Sequence, residues 1–234
     1  MHQINNLSYL KYIRNSGISS FLQNSANNLC IDSLKSKDTN LTDIQNLENL
    51  EIFIKNSNKD NFKEFRETPI FGKGNSKAKF LLISDPPSRE DNIQEKPFAG
   101  KSEILLNKML IAINIKIKDI YMVNVMPWQL LENKEPSNDQ ILKCLPFIQR
   151  YIEIINPKII ILFGSMAAKA ILNSNLPFQN IRGKWYKYNS INIDQPIDCI
   201  ASYNPNDLLK SPSYKTESWK DLQIINRKII DENL

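Results

Sequence analysis

Histidine is nearly absent from this chain: among 234 residues there is only His2. Any catalysis in a folded domain must therefore proceed without an imidazole acid or base. Cysteine is also scarce, with Cys30, Cys144 and Cys199 and no C-x-x-C pair. Three thiols supply neither a disulfide framework nor a four-thiolate cluster within one chain, so they read as reduced, mostly buried side chains. Long apolar runs are missing: segments such as KIIILFG fall far short of the roughly 20 residues a spanning helix needs. The N-terminal stretch MHQINNLSYLKYIRNSG has neither the apolar core nor the small-residue cleavage site of a signal peptide, and the expected location is the cytoplasm. A glycine-rich nucleotide fingerprint is missing as well.

What remains is the composition of a globular protein. The 41% hydrophobic content suits one well-buried domain plus an extension. A net charge of +5 is compatible with a polyanionic partner without requiring one. Residues 5–24 have the apolar spacing of a helix interrupted by Gly17, and residues 25–45, rich in Asn, Ser, Asp and Lys, read as a linker. LTDIQNLENLEIFIKN has a helical rhythm, with Thr42 or Asp43 as the expected N-cap. From about Pro69 strands and helices alternate: KFLLIS, SEILLNKML, IYMVNV, NDQILKCLPFIQRYIEII, KIIILFG, SMAAKAIL, a short strand at KWYKY, DCIAS and SWKDLQIINRKII. This order predicts a three-layer α/β/α fold around a central, mostly parallel sheet. The expected division is an N-terminal extension over 1–60 and an α/β domain over 61–234.

In such a sheet, ligands bind beyond the carboxyl ends of the strands. Four loops should gather there. The first, Ser84-Asp85-Pro86-Pro87-Ser88 with Glu90 and Asp91 behind it, offers a carboxylate that can orient water or can simply sit in a solvated turn. The second carries Phe98 in PFAG, an aromatic that can stack on a planar ligand or pack as core. The third follows Asn124, whose amide presents a donor and an acceptor together, as suits the edge of a base, but which is also an ordinary turn residue. The fourth, Ser202 to Pro212, places Leu208 and Leu209 beside Lys210, a pattern suited to wedging a base step next to a phosphate or to starting a buried helix. Gly164-Ser165 opens a helix at a position suited to phosphate.

Taken in order, SDPPSREDNIQEKPFAGKSEILLNKML, DIYMVNVMPW, CLPFIQRYIEIINPKIIILFGSMAAKAIL and SYNPNDLLKSPSYK, ending in SWKDLQ, resemble the uracil-DNA glycosylase superfamily, most closely its family 4 type. The resemblance covers residues 60 to 230 and lies more in order and spacing than in any single motif. It implies a DNA-repair hydrolase that cleaves the N-glycosidic bond of deoxyuridine and leaves an abasic site. By the same resemblance Asp85 activates water, Phe98 stacks on an extruded uracil and Asn124 reads its edge. Asn204 contacts the leaving base, while Ser165, Leu208, Leu209 and Lys210 meet DNA. The partner implied is uracil-containing DNA, bound by a monomer away from any membrane.

Three departures stand out. The family's first motif reads Gly-Glu-Ala-Pro-Gly, where this chain has Ser84-Asp85-Pro86-Pro87-Ser88. Its final loop begins His-Pro, where this chain has Asn204-Pro205; losing a donor to the developing anion typically costs on the order of 10² to 10³ in rate. Of the ligands of the family's four-iron cluster only Cys144 is matched: Trp128 stands at a second ligand position, and no cysteine lies near residues 57–63. The expectation is therefore no metal and no cofactor. The rival readings are a weakened relative that binds DNA or uracil-like bases without cleavage, and a nucleotide-binding α/β protein using the Gly164-Ser165 helix start.

Overall fold

A computed structural model describes residues 41–61, 64–66, 68–131, 134–190 and 192–234. The helix expected over 5–24, most of the linker, His2 and Cys30 lie outside the described residues. The first strands and helices are β1 (Lys73–Gly74), β2 (Phe80–Ser84), β3 (Ile120–Asn124), α1 (Leu47–Asn61), α2 (Arg89–Gln94) and α3 (Lys101–Ala112). They are followed by α4 (Asn138–Ile155), β4 (Ile159–Phe163), α5 (Ser165–Leu172), α6 (Phe178–Ile181), β5 (Trp185–Tyr188), β6 (Ile197–Ser202), α7 (Pro205–Lys210) and α8 (Lys215–Asp231).

Six strands form one sheet in the order β1-β3-β2-β4-β6-β5. The inner four, β3, β2, β4 and β6, are parallel, whereas β1 and β5 pair antiparallel at the edges. The chain leaves β2 for β3 on one side and then crosses to β4 on the other. That reversal makes the carboxyl end of β2 the topological switch point, where open α/β sheets bind ligands.

The inner strands are apolar runs because both faces are covered. Alternate residues feed opposite layers: Leu81 and Ile83 join a core with Leu50 and Ile54 of α1 and with Phe147 and Ile148 of α4. Phe80 and Leu82 join a second core with Leu106 and Leu110 of α3 and Leu222 and Ile225 of α8. The three-layer expectation holds. Three local readings change. The N-cap of α1 is Asn46, whose Oδ1 accepts from the Asn49 amide at 2.8 Å, and not Thr42 or Asp43, which lie in a preceding 3₁₀ turn. The polar loop after Pro87 contains helix α2, started by a capping box in which Ser88 and Asp91 bond each other's backbone amides. Helix α1, read as part of the extension, packs into the first core.

No helix among the described residues is long and apolar enough to cross a membrane.

Candidate active site

The last residues of the four parallel strands stand in one row, Asn124–Ser84–Phe163–Ser202, fixed by the strand registers. All four are buried. Of the expected residues, Asn124 lies on this row, Asp85 directly follows Ser84, and Phe98 and Asn204 meet Phe163.

Asn124 ends β3 and is fully buried. Its Nδ2 donates to the Asp85 carbonyl oxygen at 3.0 Å, while its Oδ1 has no hydrogen-bond partner. An unpaired buried amide oxygen is costly and calls for an explanation, a ligand donor being one.

Asp85 follows β2 and turns its carboxyl toward the start of α5. Oδ1 accepts from the Ala167 amide at 2.8 Å, and the amides of Met166 and Ser165 also favour the charged form. The anion at this helix start, a position suited to phosphate, is thus the chain's own carboxylate. Gly164 makes the approach possible: it has φ +113°, and a Cβ there would fall 2.1 Å from Asp85 Oδ2. Burial raises the Asp85 pKa to about 7 despite the helix amides, and Asp207 adds like-charge repulsion.

Phe98 adopts φ +57°, a strained conformation for an aromatic residue. Its ring is buried and meets Phe163 edge-on, with centroids 5.7 Å apart. The strained turn is held by Asp91, whose Oδ1 accepts from the Ala99 amide at 2.7 Å.

Asn204 follows β6 by two residues and caps α7, its Oδ1 accepting from the Asn206 amide at 2.9 Å. Its Nδ2 donates to Ser84 Oγ at 3.0 Å and to the Phe163 carbonyl at 3.1 Å. Both amide hydrogens are therefore engaged inside the protein. The leucine pair divides: Leu208 is buried in the second core, whereas Leu209 is exposed and lies beside exposed Lys210. Ser165 is half-buried at the start of α5.

Sequence reasoning left out Ser84, the acceptor for Asn204, and treated Asp91 only as a loop acid. The Ser88-x-x-Asp91 spacing is a capping signature and was the available signal for Asp91. Nothing local marks Ser84, because its partner is brought to it by β4 and β6.

The residues present do not fit a four-iron cluster. Trp128 is fully buried, with its ring centroid 6.2 Å from that of Phe65 and 5.7 Å from that of Phe147. Cys144 is buried in the same apolar core. Cys199 lies within β6, between Ile160 and Tyr186 on the neighbouring strands. Among the described residues, no group of three His, Cys, Asp or Glu side chains is placed to hold a metal.

Fold and site together define an α/β protein with a buried amide, an aromatic ring and a carboxyl of raised pKa at the carboxyl edge of its sheet. The sequence profile described as "Uracil DNA glycosylase superfamily" matches residues 71–223, and the chain belongs to that family. It is 31% identical over 156 residues to a type-4 uracil-DNA glycosylase of Archaeoglobus fulgidus, covering 66% of this chain and 78% of that protein. Type-4 uracil-DNA glycosylases of Saccharolobus solfataricus and Pyrobaculum aerophilum are 29% and 25% identical over 171 and 180 residues. These matches cover 71% and 75% of this chain and 78% and 91% of the respective relatives.

Proposed function

We propose that this protein excises uracil from DNA by hydrolysing the N-glycosidic bond of deoxyuridine, the opening step of a base-excision repair, acting as a cytoplasmic monomer without an iron-sulfur cluster. The observation that carries the reading is the buried, unpartnered Oδ1 of Asn124. An amide acceptor there fits the N3–H of uracil and opposes the bare N3 of cytosine.

A base hidden in the duplex stack must be extruded before such a contact forms. Phe98 then stacks on it. Leu209 and Lys210, exposed at the end of α7, face the gap and the phosphates, Ser165 adds a hydroxyl, and the neighbouring Leu208 supports Leu209 from the core. Asp85 orients a water toward C1′ of the sugar. As the C1′–N1 bond breaks, its electron pair leaves with the base. The water oxygen bonds to C1′, and the water's proton passes to the Asp85 carboxylate. A carboxyl with a pKa of about 7 is well matched to that role near neutral pH. Asn204 serves the leaving base by exchange: the hydrogen given to Ser84 Oγ turns to the uracil oxygen as charge develops there.

The engaged amide of Asn204 favours a second reading, in which the protein binds uracil-containing DNA and cleaves it slowly or not at all. Incubation with single-stranded and duplex oligonucleotides carrying one deoxyuridine, followed by alkali cleavage of abasic sites, separates the two. Strand breaks at the uracil support excision. Selective retention of the uracil oligonucleotide without breaks supports the binding module, and absence of both excludes each.

A further inference from the structure

Tyr203, the residue before Asn204, is a buried ring fixed from several sides. Its hydroxyl donates to Glu217 Oε2 at 2.8 Å, the Arg182 guanidinium lies 5.1 Å from its centroid, and Phe178 meets it edge-on with centroids 5.3 Å apart. Arg182 is held in turn, its Nε and Nη2 donating to the two carboxyl oxygens of Asp221 at 3.1 and 2.7 Å. A second ring rests on this support. After α7 the chain makes a 3₁₀ turn over Pro212–Tyr214 and lays Tyr214 parallel to Tyr203, with centroids 4.6 Å apart and planes within 6°.

Tyr203 covers one side of Tyr214, yet Tyr214 stays 39% exposed. A flat ring oriented by a rigid support and open to water presents its π-face without the entropy cost of being ordered on binding. Its surroundings are cationic. From Leu209 to Lys215 the sequence holds Lys210 and Lys215 and no acid, and both lysines are exposed. Glu217, the next acid along the chain, is engaged by Tyr203 and Arg182. An aromatic face between cations is the combination that holds unstacked nucleobases and their phosphates. Because Tyr214 stacks on the neighbour of Asn204, a strand that delivers a base to the site brings the adjoining nucleotides to this ring.

We infer that Tyr214 is a stacking platform for a nucleobase beside the uracil in the same strand, with Lys210 and Lys215 on the adjoining phosphates. This rests on the uracil-DNA reading above. Extrusion of one base deprives its neighbours of a stacking partner, and the Tyr214 ring replaces it. The contact reads no sequence, since every base has a π-face.

The test pairs a change in the protein with a change in the DNA. Two single-stranded oligonucleotides carry one non-cleavable 2′-fluoro-deoxyuridine; in one the flanking nucleotides keep their bases, and in the other they are tetrahydrofuran abasic residues. Wild type is expected to bind the base-bearing probe about tenfold tighter, the scale of one base–aromatic stack. Tyr214→Leu, which keeps bulk over Tyr203 and removes the π-face, should lose that advantage and bind both probes alike, whereas Tyr214→Phe keeps it. If Tyr214→Leu does not give a cooperative unfolding transition, Tyr214→Trp carries the test: its added fluorescence should be quenched by the base-bearing probe and not by the abasic-flanked one. Equal binding of the two probes by wild type, an advantage that survives in Tyr214→Leu, or a Tyr214→Trp signal that responds to both probes alike overturns the inference about Tyr214 alone. A wild type that binds the base-bearing probe no better than a matched oligonucleotide carrying 2′-fluoro-deoxycytidine overturns the uracil reading and this inference with it.

Discussion

Asp85 has a folded pKa of about 7, well above its ordinary value of 3.8, chiefly because its carboxyl is desolvated. Two pH effects follow. If the ionised form takes the proton from water, single-turnover excision rises with pH through about 7 and then levels, and Asp85→Asn loses that limb together with most of the rate. For stability the sign is opposite: the folded state keeps a proton the unfolded chain has released. The contribution is fully present below the unfolded pKa and is lost as pH rises through about 7. Urea midpoints are therefore expected to fall between pH 5 and 8 in wild type, and less in Asp85→Asn. An unchanged pH slope in the variant would show that the titration belongs elsewhere. At this scale the sequence disclosed Asp85 and Asn124 as residue types at strand ends and Phe98 in the PFAG turn before α3. It did not disclose that Asp85 sits on the start of α5, because that contact depends on Gly164 lying under the carboxyl in three dimensions.

Helix α7 shows how one side chain serves two elements. Asn204 caps α7 through Oδ1 and ties it to β2 and β4 through Nδ2. Asp is as good an N-cap as Asn, so Asn204→Asp preserves the cap and strikes only the tie. A carboxylate oxygen would then oppose the Phe163 carbonyl in a buried site, and the expected loss is roughly 2–4 kcal/mol by urea unfolding. Asn204→Ser, which keeps a capping oxygen, should lose about 1 kcal/mol. Equal, small losses in both variants would mean that the tie contributes nothing. The helix also explains why the Leu208-Leu209 pair could not be read from sequence alone. Adjacent residues on a helix point about 100° apart, so one leucine enters the core and its neighbour faces out.

The whole molecule was the most legible level. Apolar runs buried on both faces, separated by amphipathic helices, dictated a parallel sheet, and its carboxyl edge gathers the expected loops. The edge strands β1 and β5 differ in legibility. KWYKY has the aromatic content of a strand, whereas Lys73-Gly74 is a two-residue pairing carried by β3 and leaves no pattern. The core over α1 and α4 is filled by Phe53, Phe65, Trp128 and Phe147, apolar rings in place of metal ligands. Protein purified without oxygen is expected to be colourless, with far less than one iron per chain. Brown absorbance with near four irons would overturn the account of this core.

The central claim is that the buried Asn124 at the switch point selects uracil for removal. Its most direct measurement is the release of free base, under single-turnover conditions, from matched oligonucleotides carrying deoxyuridine or deoxycytidine, by wild type and by Asn124→Asp. The account predicts that wild type releases uracil and leaves cytosine. In the variant the hydrogen that ties Nδ2 to the Asp85 carbonyl is lost and a carboxylate oxygen opposes that carbonyl, so the acceptor that meets the N3–H is no longer held in place and the preference for uracil should fall by about tenfold or more. Full uracil release with unchanged selectivity in Asn124→Asp, or no release of uracil by wild type, would contradict it.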